Sequence, residues 1–419
     1  MKDLTITLAD DKPIDLAECQ AMLQKHIRFP HQRTIVRHTD EYDALPVLEL
    51  VAAHYEQCEI GRTTVVERME QQARNFLHTL RRQPPWATTL TAPLRGMHAF
   101  IVSAGPSLDK NGHLLARAQE LGPIIAVNTA ARACLRHGVT PDIVVCIEKN
   151  DDRESFDGLP HDVIKILDAR ASLANWSVCP NGWAICNQEP SLLPTLMDLG
   201  VAPISYEGSV ACAAISLAIS WGATPVLIGQ DLAYADGRGY AQGTPYDDLR
   251  FEVRDGALWQ SAGSSKKVLP QAVVMLPGWA EGEVVSTAAL VGFRQWIERA
   301  ARRHPILNCT EGGAFIGGTA HRTLAKQVGG MTRRRWFGWD TVETPHWVST
   351  GDVLRRLSDE AERVLRDTNA WIPAPEHQLF NCWTVPVFLQ TVGMPYAERR
   401  DRMREAMVAA ATATLEILT

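Results

Sequence analysis

The chain lacks the features of several protein classes. Its 419 residues include 42 lysines and arginines against 48 aspartates and glutamates, a formal net charge of −6. Since general nucleic-acid binders neutralise phosphates with a basic face, this balance argues against that class. The first residues lack the basic start and apolar core of a signal peptide, and no apolar run approaches the roughly 20 residues of a membrane span. We therefore expect a cytoplasmic protein without a membrane span.

Motifs with the spacing of metal ligands are also missing. The nine cysteines include no Cys-x-x-Cys pair, and the 13 histidines form no His-x-His or His-Glu-x-x-His motif. These absences argue against a zinc knuckle, a metalloprotease and a zinc hydrolase. We expect the cysteines to be small buried residues in a reducing compartment, and we predict no metal site.

Short apolar runs alternate with helical patterns through the middle of the chain. This order is typical of parallel βαβ units, whose strands are buried on both faces and are apolar throughout. The sequence therefore predicts an α/β fold: a Rossmann-like, doubly wound, mostly parallel sheet with helical extensions at both ends. The predicted strands are His98–Ser103, Ile124–Asn128, Ile143–Ile147, Val163–Leu167, Trp183–Cys186, Pro225–Gly229 and Ile306–Asn308.

Composition divides the chain into three parts. Residues 1–90 are predicted as a helical N-terminal region, because apolar positions recur at helical spacing up to Pro84 and Pro85. Residues 91–330 form the Rossmann-like domain, in which the polar stretch Ala235–Leu269 is predicted as a loop or hairpin near the site. Residues 331–419 form a helical C-terminal region that contains five of the 12 tryptophans.

Polar residues and glycines follow the predicted strands. Ligands of open α/β sheets bind outside the carboxyl ends of the strands, so these residues are candidates for one site. Gly105-Pro106-Ser107 follows the first strand and opens a helix, where backbone N–H groups and the helix dipole can attract a phosphate. The turn matches neither Gly-x-Gly-x-x-Gly nor a P-loop, and any strand-to-helix junction can use glycine and a hydroxyl. Asn128, after the second strand, can donate to a phosphate and accept from a base or sugar.

Two carboxylates follow later strands. Asp231 and Glu311 can each serve as a general base, a metal ligand or a helix cap. The positions of Asp231 and Glu311 in the sequence do not distinguish between these three roles.

Five segments together resemble a known family. They are Gly105–Asp109 (GPSLD), Ala126–Thr129 (AVNT), Pro141–Val145 (PDIVV), Gly229–Tyr234 (GQDLAY) with Gly237 downstream, and Asn308–Ala314 (NCTEGGA). In this order they resemble the motility accessory factor (Maf) family, bacterial flagellin glycosyltransferases that share a core with archaeal pterin diphosphokinases. The resemblance spans residues 75 to 330.

The resemblance implies transfer of a nonulosonic acid, a sialic-acid-like sugar, from a CMP donor to serine or threonine of flagellin or another surface protein. No cofactor is expected. Asp231 and Glu311 are the implied catalytic residues, near the sugar or the acceptor hydroxyl. By likeness to bacterial sialyltransferases, Gly105, Ser107 and Asn128 hold the phosphate and ribose of CMP. The full predicted donor-binding set is Gly105, Pro106, Ser107, Leu108, Asn128, Thr129, Glu148, Gly208, Ser209, Gly229, Tyr234 and Gly312.

The chain departs from the family pattern at two positions. The family often has a histidine shortly after Asp-Leu-Ala-Tyr-x-x-Gly, where this chain has Arg238-Gly239-Tyr240. If that histidine is the base, this protein needs another one. Glu148 stands where the family pattern leads us to expect aspartate.

Two other functions compete with sugar transfer. One is a pterin-type diphosphokinase, which would transfer pyrophosphate from ATP with Mg²⁺ held by carboxylates such as Asp231. The other is a non-catalytic nucleotide-sugar-binding protein of the same pathway, in which Tyr240 replaces a lost base.

Overall fold

The chain divides into two compact units, residues 1–70 with 382–407 and residues 71–381 with 408–419. The computed structural model describes residues 4–7, 34–37, 68–89, 94–188, 192–263, 270–280, 282–332, 350–366 and 396–418, with scattered positions between 19 and 51. The five tryptophans of the predicted C-terminal region lie outside these residues. In the described part of the chain, no helix is long and apolar enough to cross a membrane.

Fourteen strands lie in the described residues. In chain order they are β1 (Leu4–Thr7), β2 (Thr34–Arg37), β3 (His98–Val102), β4 (Ile124–Val127), β5 (Ile143–Cys146), β6 (Ile164–Asp168), β7 (Trp183–Ile185), β8 (Thr224–Ile228), β9 (Arg250–Arg254), β10 (Ala257–Ala262), β11 (Gln271–Pro277), β12 (Glu283–Thr287), β13 (Leu307–Asn308) and β14 (Ala320–His321). β1 and β2 form a parallel pair, so the N-terminal region predicted as helical also contains strands.

Between β3 and β8 helices alternate with most of the strands, as the sequence predicts, whereas among the described residues no α-helix separates the strands from β8 to β12. In chain order the helices are α1 (68–82), α2 (Leu108–Asn111), α3 (Leu115–Gln119), α4 (Asn128–Arg136), α5 (Leu173–Ser177), α6 (Leu193–Asp198), α7 (Val210–Ser220), α8 (Ala288–Ala301), α9 (Leu324–Gly329), α10 (Thr350–Arg366) and α11 (Tyr396–Leu418).

The main sheet has eight parallel strands in the order β14-β13-β8-β3-β4-β5-β6-β7. Successive residues of its central strands pack on opposite faces: Ile101 and Ile125 belong to one apolar core, Phe100 and Ile124 to the other. The small side chains of α7 cover the first face. The predicted Rossmann-like α/β class is confirmed.

A second, antiparallel sheet has the order β12-β11-β10-β9. β9 and β10 form a hairpin inside the stretch predicted as a loop or hairpin, and its turn residues Asp255 and Gly256 both have positive φ, 50° and 72°. An Asp-Gly pair favours such a turn, because glycine adopts positive φ without strain. β11 and β12 were not predicted. The stretch Ser286–Arg303 is predicted as a helix, but the helix begins at Ala288, because Ser286 and Thr287 still pair with β11.

The stretch Leu108–Leu121, closed by Gly122-Pro123, is predicted as one helix, but the structure interrupts it. A 3-10 turn at Gly112–Leu114 separates α2 from α3. Gly112 packs so closely on the ring of His137 that a methyl group there would lie 2.4 Å from Nε2. Glycine is a poor helix former, so the regular helix yields at this contact.

Candidate active site

A cavity of about 450 Å³ lies at the carboxyl ends of β3, β4, β5 and β8. This is the edge of a parallel sheet where ligands bind. The first turn of α7 forms part of its wall, and the segment 234–249, here called the cover segment, forms another. The lining residues are Ser103, Ala104, Gly105, Val127, Thr129, Glu148, Gly208, Ser209, Val210, Ala211, Gly229, Gln230, Asp231, Leu232, Ala233, Tyr234, Gly239, Tyr240, Tyr246, Leu249, Leu290 and Phe293.

Asp231 is the buried carboxylate of this cavity, with 3% of its surface exposed. The Ser107 hydroxyl donates to its Oδ2 at 2.6 Å, and the Ser107 backbone N–H donates to its Oδ1 at 3.2 Å. Burial raises the pKa of Asp231 to about 6, although the bonds from Ser107 and the charge of Lys110 act in the opposite direction. A carboxylate with this pKa is ionised at neutral pH and still able to take up a proton.

Glycines allow the backbone to close around Asp231. A methyl group at Gly105 would lie 2.1 Å from Asp231 Oδ2, and one at Gly313 would lie 2.1 Å from the Asp231 carbonyl oxygen. Gly312 fits between Ser107 and the same carboxylate, with 2.9 Å between the Ser107 Cβ and a methyl group placed there. The glycines of the two motifs are therefore required by close packing on Asp231.

The Gly105-Pro106-Ser107 turn has a different role from the one its sequence suggests. The Gly105 N–H donates to Gly229 O at 2.9 Å, proline has no N–H, and the Ser107 N–H donates to Asp231. The Leu108 N–H bonds back to Gly105 O at 3.0 Å. These N–H groups already have partners within the protein, so the turn holds Asp231 instead of presenting an open phosphate cradle.

Asn128 lies in a buried hydrogen-bond chain. Its Nδ2 donates to Asp152 Oδ2 at 2.6 Å, and the Tyr246 hydroxyl donates to Asp152 Oδ1 at 3.2 Å. The Asp152 N–H donates to Asn175 Oδ1 at 2.8 Å. Asn128 is fully buried and does not line the cavity, and Asp152 links it to Tyr246, which does.

Glu311 has a helix-capping geometry. Its Oε1 accepts from the Leu324 N–H at 2.8 Å, at the first residue of α9, and from Asn111 Nδ2 at 3.4 Å. It has a positive φ of 61° and is not among the lining residues. Of the three roles open to Glu311, this contact favours the helix cap.

Three sets of hydrogen bonds hold the cover segment in place. The Ala241 N–H donates to Ala104 O at 2.8 Å. Asp109 accepts from Arg238 Nη1 at 2.7 Å and from the Gln242 N–H at 3.0 Å. The Tyr246–Asp152 bond is the third contact. The segment is thus fixed beside the strand ends at both its middle and its far end.

A buried ionic cluster lies beside the Glu148 loop. Asp168, at the end of β6, pairs with Lys149 Nζ at 2.7 Å and with Arg170 Nη2 at 3.0 Å, and accepts from the Tyr206 hydroxyl. Burial alone would raise the pKa of Asp168, but the charges of Arg170 and Lys149 outweigh it and hold this pKa well below its usual range. The cluster fixes the loop that carries Glu148 against the loop that leads to Gly208.

The cavity brings together many of the predicted site residues. Eight of them line it: Gly105, Thr129, Glu148, Gly208, Ser209, Gly229, Asp231 and Tyr234. The other six, Pro106, Ser107, Leu108, Asn128, Glu311 and Gly312, lie outside the lining. Sequence reasoning missed Asp109, Asp152 and Tyr246. Asp152 could have been found, because it lies in the acidic stretch directly after the third predicted strand. The described residues contain no group of three or more His, Cys, Asp or Glu side chains that could hold a metal ion.

Residues 70–237 match the family model described as 6-hydroxymethylpterin diphosphokinase MptE-like. This segment is similar to the MptE-like family over about two fifths of the chain. It contains β3 to β8, the turn at Gly105 and the buried Asp231, whereas Glu311 lies beyond it. The sequence-level resemblance to the group that includes the pterin diphosphokinases is thereby confirmed.

The fold extends beyond the segment that matches this family model. It is similar to the structure of a Maf glycosyltransferase from Magnetospirillum magneticum AMB-1, with a TM-score of 0.54 and 15% sequence identity. The similarity covers 97% of this chain and 68% of the other. At this identity the similarity establishes the fold. No curated protein sequence matches the chain.

Proposed function

We propose that the protein is a glycosyltransferase that moves a nonulosonic sugar from a CMP donor to serine or threonine of flagellin or another surface protein, in the cytoplasm. The observation that carries this proposal is Asp231, a carboxylate that is buried in the wall of the cavity and has a pKa raised to about 6. The fold shared with a Maf glycosyltransferase supports it.

Asp231 is the proposed general base. The acceptor hydroxyl oxygen forms the new bond to the anomeric carbon, the bond from that carbon to the CMP phosphate breaks, and the hydroxyl proton moves to Asp231. CMP leaves with the bonding electrons. Ser107 keeps the carboxylate oriented through its two bonds. Asp231 thereby supplies the base in a chain that has Tyr240 where the family often has histidine.

The phosphate of CMP is expected at the first turn of α7. Gly208, Ser209 and the two following residues line the cavity there. The first N–H groups of a helix have no partners within the helix, and the helix dipole favours negative charge. Gly208 and Ser209 therefore stay in the predicted donor-binding set. The phosphate is proposed to bind at α7 and not at the Gly105 turn.

A pterin-type diphosphokinase is the second candidate. The observation that favours it is the family model matched by residues 70–237. In that reaction ATP and Mg²⁺ would occupy the cavity, and Asp231 would face the metal. The two candidates differ in the ligand that the free protein binds and in their need for a metal ion.

CMP is expected to raise the unfolding temperature of the protein without added Mg²⁺. A ligand that binds only the native state stabilises it, by about 2.7 kcal/mol when its concentration is 100 times Kd. The measurement is thermal unfolding with CMP, CDP, ATP or GTP, each with Mg²⁺ and with EDTA. Stabilisation by ATP with Mg²⁺, and none by CMP, would favour the diphosphokinase.

Transfer itself is tested by intact mass. Flagellin co-expressed with this protein in a strain that makes CMP-nonulosonate is expected to gain the mass of one or more sugar residues. The control is the same strain carrying Asp231→Asn. Unmodified flagellin together with stabilisation by CMP would indicate the non-catalytic binding protein instead.

A further inference from the structure

The cavity extends far from Asp231. Asp231 follows β8, whereas Glu148 follows β5, three strands away in the order β8-β3-β4-β5. Neighbouring strands lie about 4.8 Å apart, so the two ends of the cavity are separated by roughly 14 Å. If transfer takes place at Asp231, the Glu148 end receives the far part of the donor, which in a nucleotide-activated sugar is the base.

Two tyrosines and a carboxylate form this far end. The rings of Tyr240 and Tyr246 lie 5.1 Å apart between centroids, tilted by 60°, and both line the cavity. Burial, together with the neighbouring charges of Tyr246 and Glu148, raises the pKa of Tyr240 to about 12, so its phenol stays neutral. The bond from the Tyr246 hydroxyl to Asp152 fixes the second ring.

We infer that Tyr240, Tyr246 and Glu148 form a subsite for a nucleobase with an exocyclic amino group, and that Glu148 selects cytosine over uracil. This inference rests on the proposed function for the direction in which the donor lies. The faces of aromatic rings stack on bases of any kind, so the tyrosines supply affinity without selectivity. A carboxylate only accepts hydrogen bonds: it pairs with the amino group of cytosine and opposes the carbonyl oxygen at the same position of uracil.

The inference predicts different effects for the ring and for the carboxylate. The native protein is expected to bind CMP about tenfold more tightly than UMP. Glu148→Gln keeps the size of the side chain and can both donate and accept, so the ratio of the two Kd values is expected to fall towards one. Tyr240→Leu is expected to weaken CMP and UMP alike by about tenfold, with their ratio unchanged.

Isothermal titration calorimetry with CMP and UMP measures these ratios, and thermal unfolding of each variant checks that it folds. Tyr240→Phe, which keeps the ring, should restore most of the affinity lost in Tyr240→Leu. Trp259→Leu is the matched control, because Trp259 is 43% exposed and lies outside the cavity lining. It should change neither Kd.

Two results would overturn the inference: equal binding of CMP and UMP by the native protein, or an unchanged ratio in Glu148→Gln. These results are separable from failure of the proposed function. A protein that prefers CMP through Glu148 and transfers no sugar would refute the transferase and leave the base subsite standing. If flagellin is glycosylated but the ratio of the Kd values for CMP and UMP is unchanged in Glu148→Gln, the transferase stands and the base subsite is refuted.

Discussion

Asp231→Asn is expected to make the protein more stable at pH 8 and to abolish sugar transfer. Burial raises the pKa of Asp231 to about 6, above the value near 3.9 of an unfolded chain. The folded state therefore binds this proton more tightly than the unfolded state, and keeping the carboxylate ionised above pH 6 costs up to about 3 kcal/mol. Asparagine removes the charge and the base together.

The raised pKa of Asp231 also determines how the stability gained in Asp231→Asn depends on pH. The cost of the ionised carboxylate is fully present above pH 6, declines as the pH falls through 6, and is gone below the unfolded value near 4. The stability difference between Asp231→Asn and the native protein should follow this course in urea unfolding at pH 8, 6 and 4. A variant less stable than the native protein at pH 8 would contradict it.

Ser107→Ala is the matched control for Asp231→Asn. It keeps the charge but removes the 2.6 Å hydrogen bond from the Ser107 hydroxyl. Because a hydrogen bond to a charged group contributes roughly 1.5–3 kcal/mol, this variant should lose stability at pH 8. If Asp231→Asn raises the free energy of unfolding and Ser107→Ala lowers it, the buried charge destabilises the protein and the Ser107 hydrogen bond stabilises it.

Gly313→Ala is expected to lower the free energy of unfolding by roughly 2–5 kcal/mol and to disrupt the site. Gly313 has φ of 67°, and a methyl group there would meet the Asp231 backbone at 2.1 Å. The left-handed conformation costs an alanine roughly 1–2 kcal/mol, and overpacking against a backbone that cannot move adds the rest. Chemical denaturation measures the loss, and CMP binding reports on the site.

Gly138→Ala separates these two contributions. Gly138 has φ of 73°, but an added methyl group meets no atom within 4 Å. Only the conformational cost of roughly 1–2 kcal/mol is expected, with CMP binding retained. Equal losses in the two variants would show that the close approach to Asp231 contributes nothing.

Seven of the eight strands of the main sheet could be predicted, because its central strands are apolar on both faces, whereas the short strand β14 was not predicted. Ile124–Val127 and Ile143–Cys146 are buried at every position, which no surface strand or amphipathic helix matches. β11 and β12 were missed because half-exposed residues interrupt their apolar positions, and because Ser286 and Thr287 lead directly into α8. The Asp255-Gly256 pair is a clear hairpin signal that the surrounding charges obscured.

The site was harder to predict because its bonds join distant parts of the sequence. Ser107 and Asp231 are 124 residues apart, and Tyr246 and Asp152 are 94 apart. The sequence places Ser107 and Asp231 at one sheet edge, but not in contact. Only that contact reveals that the Ser107 N–H is already bonded, which is why we propose α7 and not this turn for the CMP phosphate.

The three attachments of the cover segment have a kinetic consequence. The free protein already holds the cover segment at Ala104, Asp109 and Asp152, so a ligand does not need to order this segment when it enters. We therefore expect association without a slow step, or an entropy cost, for ordering the cover segment. Differences in affinity among donors should therefore arise mainly from how long each remains bound.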